Sequence, residues 1–209
     1  MDEALGFEQD EYYILYLKSE TLINLNRYEE AIECLDNSFE LDHTFTPSLN
    51  AKGIALTHLK RFDVALACYD EALFLNPKDF TALKLKGDLL LREFKDYKKA
   101  IKYFEKAIKI DSDDAILWGN LAEAYLNIGD VNKGLECCDK AIAIDSDNFD
   151  ILFTAAKLHY ELNQLDKAMD YATKAKELNK TDLALIDLIG KINKKQSDAR
   201  MAAIHKILR

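Results

Sequence analysis

The chain has 209 residues, 49% of them apolar and 31% charged, and a formal net charge of −9. Such an acidic balance argues against a nucleic-acid binder, which needs a broad basic surface to neutralise phosphate. Only 7 Gly and 2 Pro fit an almost wholly helical array, and no apolar run approaches the roughly 18 residues of a membrane span.

Residues 1–11 hold five acids and no base. A secretory leader would be basic and then apolar, so a cytoplasmic location is expected. From residue 12 onward a repeat sets in. Small residues at Ala31, Ala65, Ala100, Gly134 and Ala168 stand 34, 35, 34 and 34 apart. Each has a large residue three before it (Tyr28, Phe62, Tyr97, Val131, Leu165) and a small one seven after it (Ser38, Ala72, Ala107, Ala141, Ala175). Such a period signals stacked units, here 12–45, 46–79, 80–114, 115–148 and 149–182.

Each unit reads as two helices. The second halves, such as 97–110, carry apolar residues at helical spacing with lysines and acids between them. The first halves repeat a large-small-large order, as in Leu49, Gly53 and Leu56, or Trp118, Ala122 and Tyr125, which lets two helix backbones approach closely. Between units, Asp, Ser, Asn and Pro77 stop one helix and cap the next. The first unit has only Ser19 near its close contact. The third has an extra residue around Glu93–Asp96, expected to lengthen its turn, and Gly134 is expected to loosen its helix by roughly 1 kcal/mol. Residues 183–193 repeat the first-helix pattern once more as a cap. A last helix near 198–208 would dock Met201, Ile204 and Leu208 or serve as an amphipathic handle, and the segment 183–209 ends in a basic tail.

The unit from Thr46 to Asp79, with Leu49, Gly53, Leu56, Phe62, Ala65, Tyr69, Ala72 and Pro77, resembles the tetratricopeptide repeat family. Trp118 and Tyr125 extend the resemblance to the fourth unit, and it covers residues 12–182. It implies an all-α fold, a right-handed superhelical array of antiparallel helix hairpins, whose first helices line a concave groove that takes a peptide or partner helix. Mapped onto this chain, the groove candidates are Tyr13, Tyr16, Asn24, Asn50, His58, Lys84, Asp88, Arg92, Asn120, Glu123, Asn127, Phe153, Lys157 and Tyr160. Leu17, Leu85 and Ala51 are expected to pack neighbouring helices instead. The asparagine amides can donate to and accept from a peptide backbone, or simply face solvent. Some relatives grip a terminal carboxylate; here Lys84 and Asn120 match that pattern, but Asp88, Asp150 and Thr154 replace the rest, so no such clamp is expected.

Other chemistry finds little support. Cys34, Cys68 and Cys137 recur at one point of their units and Cys138 follows, which suits apolar filler better than a disulfide or metal site. His43, His58, His159 and His205 lack metal-ligand spacing, and His159 stands where a packing tyrosine belongs. No phosphate loop or nucleophile-base pair appears, so neither catalysis, cofactor nor metal is expected. The expectation is a non-catalytic scaffold. Its rivals are a protein that self-associates weakly head to tail through ends of charge −5 (1–11) and +5 (191–209), or a recruiting subunit of an enzyme.

Overall fold

The computed structural model describes residues 2–207, with side chains from Glu11 to Lys206. Most side chains of the acidic first segment, and Leu208 and Arg209 of the basic tail, therefore lie outside the described residues. Eleven helices and no strand occur among the described residues, an all-α solenoid of helix hairpins. They fall into two compact units, 1–111 and 112–209.

The first unit contains α1 (Asp2–Asn24), α2 (Tyr28–Leu41), α3 (Thr46–His58), α4 (Phe62–Leu75), α5 (Phe80–Arg92) and α6 (Tyr97–Ile108). Helix α1 starts ten residues before the periodic pattern does. The repeating small residues lie where helices meet: Ala31, Ala65 and Ala100 are fully buried, as are Ser38, Ala72 and Ala107 seven residues on. Ser19 is buried too, and its hydroxyl donates to the Tyr16 carbonyl at 2.6 Å, so a serine occupies the close contact of the first hairpin. Tyr69 and Phe104 fill the space beside Gly53 and Gly87, where a methyl group would come within 2.3 and 2.4 Å of their rings.

The second unit contains α7 (Ala115–Ile128), α8 (Val131–Ile144), α9 (Phe149–Glu161), α10 (Leu165–Leu178) and α11 (Leu183–Ile207). Gly134 is not a mere weak point of α8. A Cβ there would meet the Leu158 side chain at 2.7 Å, so the glycine makes room for a fully buried leucine. Helix α11 packs Leu185, Leu188 and Ile192 onto the α9–α10 hairpin. The expected break before residue 198 is absent, because 193–198 contain neither Gly nor Pro to stop the helix. The continuation does not dock: Met201 and Ile204 are about half exposed, at 50% and 48%.

Turns inside the hairpins repeat one device. Asn26, Lys60, Lys95, Gly129 and Asn163 all have left-handed backbone, with φ between 53° and 82°. In four of the five, this bend returns two amides to the helix just ended, as Lys60 N to Thr57 O (2.9 Å) and Arg61 N to Leu56 O (2.8 Å) do after α3. The extra residue of the third repeat sits here. Four residues separate α5 from α6, and the closing bond reaches from Asp96 N to Leu90 O at 2.9 Å. Asp79, Asp96, Asp114, Asp130 and Asn148 then cap the helices that follow them.

All four cysteines are buried, and none is in a disulfide. Burial pushes the Cys68 thiol up and the Cys138 thiol up to about 12, far from the thiolate that reagents attack. The native protein should therefore resist a thiol-specific chromogenic reagent near pH 8 and release four thiols only in denaturant. Rapid labelling of any of them in the folded state would contradict this packing.

Candidate functional site

In the first unit, the first helices of successive hairpins stand side by side, and their shared face carries two recesses. The larger is about 650 Å³. Helix α1 contributes Tyr16, Glu20, Ile23 and Asn24, α3 contributes Pro47, Asn50, Ala51 and Ile54, and the start of α5 adds Asp79 and Thr81. A smaller recess of about 150 Å³ adjoins it through Ile54 and is lined also by His58, Leu85, Asp88 and Arg92. Helical spacing explains the convergence: residues 16, 20, 23 and 24, and 47, 50, 51 and 54, each follow a single stripe.

An aromatic group borders the larger recess. Phe45 meets Tyr12, Tyr13 and Tyr16 edge-on, with centroids 4.8, 6.2 and 5.4 Å away. Tyr13 remains about half exposed and lies 6.0 Å from Tyr16 in a stacked pair. The Tyr16 hydroxyl donates to Glu20 Oε1 at 2.7 Å. Burial, and then that bond to a carboxylate, hold the phenol well above its ordinary value. Sequence reasoning passed over Phe45, yet an aromatic at the position where later hairpins place Asp79, Asp114 or Asn148 was a visible signal.

The floor is built around Asp79. Its carboxylate accepts from Thr46 Oγ1 (2.6 Å), from Asn50 Nδ2 (3.2 Å to each oxygen) and from Ala82 N (2.9 Å), the last as the cap of α5. Asn50 is thus not the solvent-facing amide the sequence led one to expect. It is 4% exposed, and its Oδ1 has no donor among the described residues.

The remaining candidates divide by environment. Asn24 is exposed on the rim of the larger recess. His58 is exposed, with its ring flat on Tyr28 at 4.7 Å. Lys84 is half-buried on α5 and lines neither recess. Ala51 is buried as expected, whereas Leu17 is 43% exposed.

In the second unit, Asn120 is buried rather than open to a peptide. Asn127 is exposed and turns its amide back to the Glu123 carbonyl at 2.8 Å, while Glu123 itself is half-buried. Phe153 is buried in the core and covered by Lys157, whose ammonium lies 3.8 Å from the ring centroid. Burial lowers the Lys157 pKa, against the opposing pull of Glu123, Asp182 and Asp150. Tyr160 packs against the same core, with the Lys195 ammonium of α11 4.7 Å from its ring. His159 fills the tyrosine place, stacked on Tyr171 at 5.3 Å and bonded through Nδ1 to Gln164 Oε1 at 2.7 Å. No helix among the described residues is long and apolar enough to cross a membrane.

Models of the tetratricopeptide repeat match residues 12–44, 50–115, 91–141 and 149–182. No curated protein shows a significant sequence match. Among solved structures, MamA from Desulfovibrio magneticus RS-1 (residues 41 to its end) is 25% identical with a TM-score of 0.73, covering 83% of this chain and 98% of that one. PilF of Pseudomonas aeruginosa gives a TM-score of 0.82 at 16% identity, over 96% of this chain and 91% of its own. YrrB, described as a TPR protein with an unusual peptide-binding site, gives 0.70 at 16% identity over 89% and 95%.

Proposed function

The chain belongs to the tetratricopeptide repeat family, and on that premise we propose that it is a non-catalytic scaffold, cytoplasmic in keeping with its unbridged thiols, which holds an extended peptide or partner helix along α1, α3 and α5. One observation carries this reading. Three helices from three hairpins converge on a recess of about 650 Å³ that mixes aromatic, aliphatic and hydrogen-bonding groups, and a second recess continues it through Ile54. A face of this kind gives a segment both apolar contact and fixed polar partners. The peptide-binding site described for YrrB is a precedent on the same fold. Affinity on the order of micromolar, roughly −8 kcal/mol, suits a recess this open.

Ile54→Trp tests the reading, because the indole would fill the space both recesses share. Capture of the partner from source lysate should be lost with this variant and retained with Phe74→Ser, which alters a side chain 83% exposed on α4. The opposite pattern would move the binding surface away from the proposed face. Self-association is the second reading, favoured by the undocked end of α11 with Arg200 and Lys206 beside half-exposed Met201 and Ile204. Sedimentation that depends on protein concentration and weakens in salt would support it.

A further inference from the structure

Gly53, Gly87, Ala122, Ala156 and Gly190 hold one point of the first-helix pattern, 34, 35, 34 and 34 residues apart. The rings of Tyr69 and Phe104, from the second helices of their hairpins, fill the space over Gly53 and Gly87. Over Gly190, nothing among the described residues lies within 4 Å of a Cβ. Helix α11 thus presents a first-helix socket that no second helix of the described residues fills. Its own continuation does not supply one, since α11 runs unbroken for 25 residues where α3, α5, α7 and α9 stop after 13 or 14.

The face around that socket is apolar and its borders are basic. At 3.6 residues per turn, Leu183, Ile186, Gly190, Met201 and Ile204 lie opposite the docked Leu185, Leu188 and Ile192. The four large ones are exposed, Leu183 by 81%. Lys191, Lys194, Arg200 and Lys206 are exposed beside them. Asp187 is engaged by Lys191 at 2.5 Å, and Asp198 is the one acid from residue 191 onward. The chemistry that fits is a helix with an apolar stripe and acids toward one end.

Resting on the self-association reading above, we propose that the occupant is α1 of a second copy of this chain. That helix begins ten residues before the repeat, and residues 1–11 carry five acids and no base. Close behind them Ile14 is 60% exposed, on the side of α1 away from Tyr16, Glu20 and Ile23, so the recess stays open. Second helices run antiparallel to first helices within a hairpin. Laid on α11 in that direction, α1 sets its acidic start along the basic end while Ile14 reaches Gly190. The contact joins two unlike surfaces, so copies add head to tail.

The test is sedimentation velocity of the full chain over rising protein concentration and salt. Assemblies of the parent should grow with concentration and shrink in salt. Gly190→Arg, whose side chain meets open space in the single chain, should weaken assembly about tenfold or more without lowering the melting temperature. Glu8→Lys with Asp10→Lys, and separately Lys194→Glu with Arg200→Glu, should each weaken it about tenfold. An equimolar mixture of those two charge variants should assemble like the parent, because each start then meets an end of opposite sign. A mixture that stays apart, or a Gly190→Arg chain that assembles as the parent does, would leave self-association standing and overturn this docking. A parent that is monomeric at every concentration would remove both. Loss of lysate-partner capture in Gly190→Arg, with the parent monomeric, would give the socket to another protein and equally overturn the proposal.

Discussion

Phe104→Ala should be among the most damaging single changes in the first unit, costing about 3–5 kcal/mol in urea unfolding followed by circular dichroism. The ring is fully buried on α6 and lies where a Cβ on Gly87 of α5 would be, 2.4 Å from Cε1. Two helices are so close at this point that one contributes no side chain and the other fills the space. Gly87→Ala should therefore be costly as well, by about 1–3 kcal/mol, because a fully enclosed ring has nowhere to retreat. The pair should also be coupled. Adding Gly87→Ala to Phe104→Leu should cost at least about 1 kcal/mol less than adding it to the parent chain, since the smaller leucine leaves room for the methyl. Simple additivity would mean that the two residues do not share the volume described.

The second large effect is expected at Asp79. Alanine there removes the cap of α5 and strands the Thr46 hydroxyl and the Asn50 amide without an acceptor. A lost cap costs about 1 kcal/mol, and each orphaned donor about 1–3 kcal/mol, so the total is on the order of 3 kcal/mol or more. In a domain of this size that corresponds to a fall in Tm on the order of 10 °C. Asp79→Asn keeps one acceptor oxygen for the cap and should lose roughly half as much. Equal melting of the two variants would show that the cap alone matters and that the bonds to Thr46 and Asn50 contribute nothing.

The repeat was legible because close helix contacts tolerate only certain volumes. Ala65, Ala100 and Ala168 are fully buried, and so are Ala72, Ala107, Ala141 and Ala175. A backbone contact that recurs must write a small residue at a fixed interval, and no knowledge of the fold is needed to see it. The stripe along the first helices was legible, and Tyr16, Asn24 and Asn50 line one recess. What each side chain does there was not. Whether Asn50 greets a ligand or an internal carboxylate depends on Asp79, 29 residues away, and that pairing is set by the distance between α3 and the start of α5. Asn120 and Phe153 sank into the structure for a similar reason: a position one step around a helix from the open face is buried once the neighbouring helix arrives. The long α11 shows a different lapse. Periodicity faded after Ile192 because burial ended there, while the backbone, meeting no breaker, went on.

The left-handed residue in each hairpin turn has an implication for adapting the molecule. Glycine takes this conformation without penalty, yet it appears once in five places, with lysine or asparagine at the others. The chain has thus left stability unclaimed at Lys60 and Lys95, on sites that border neither recess. Glycine at either place should firm up its hairpin and leave the lining of both recesses untouched.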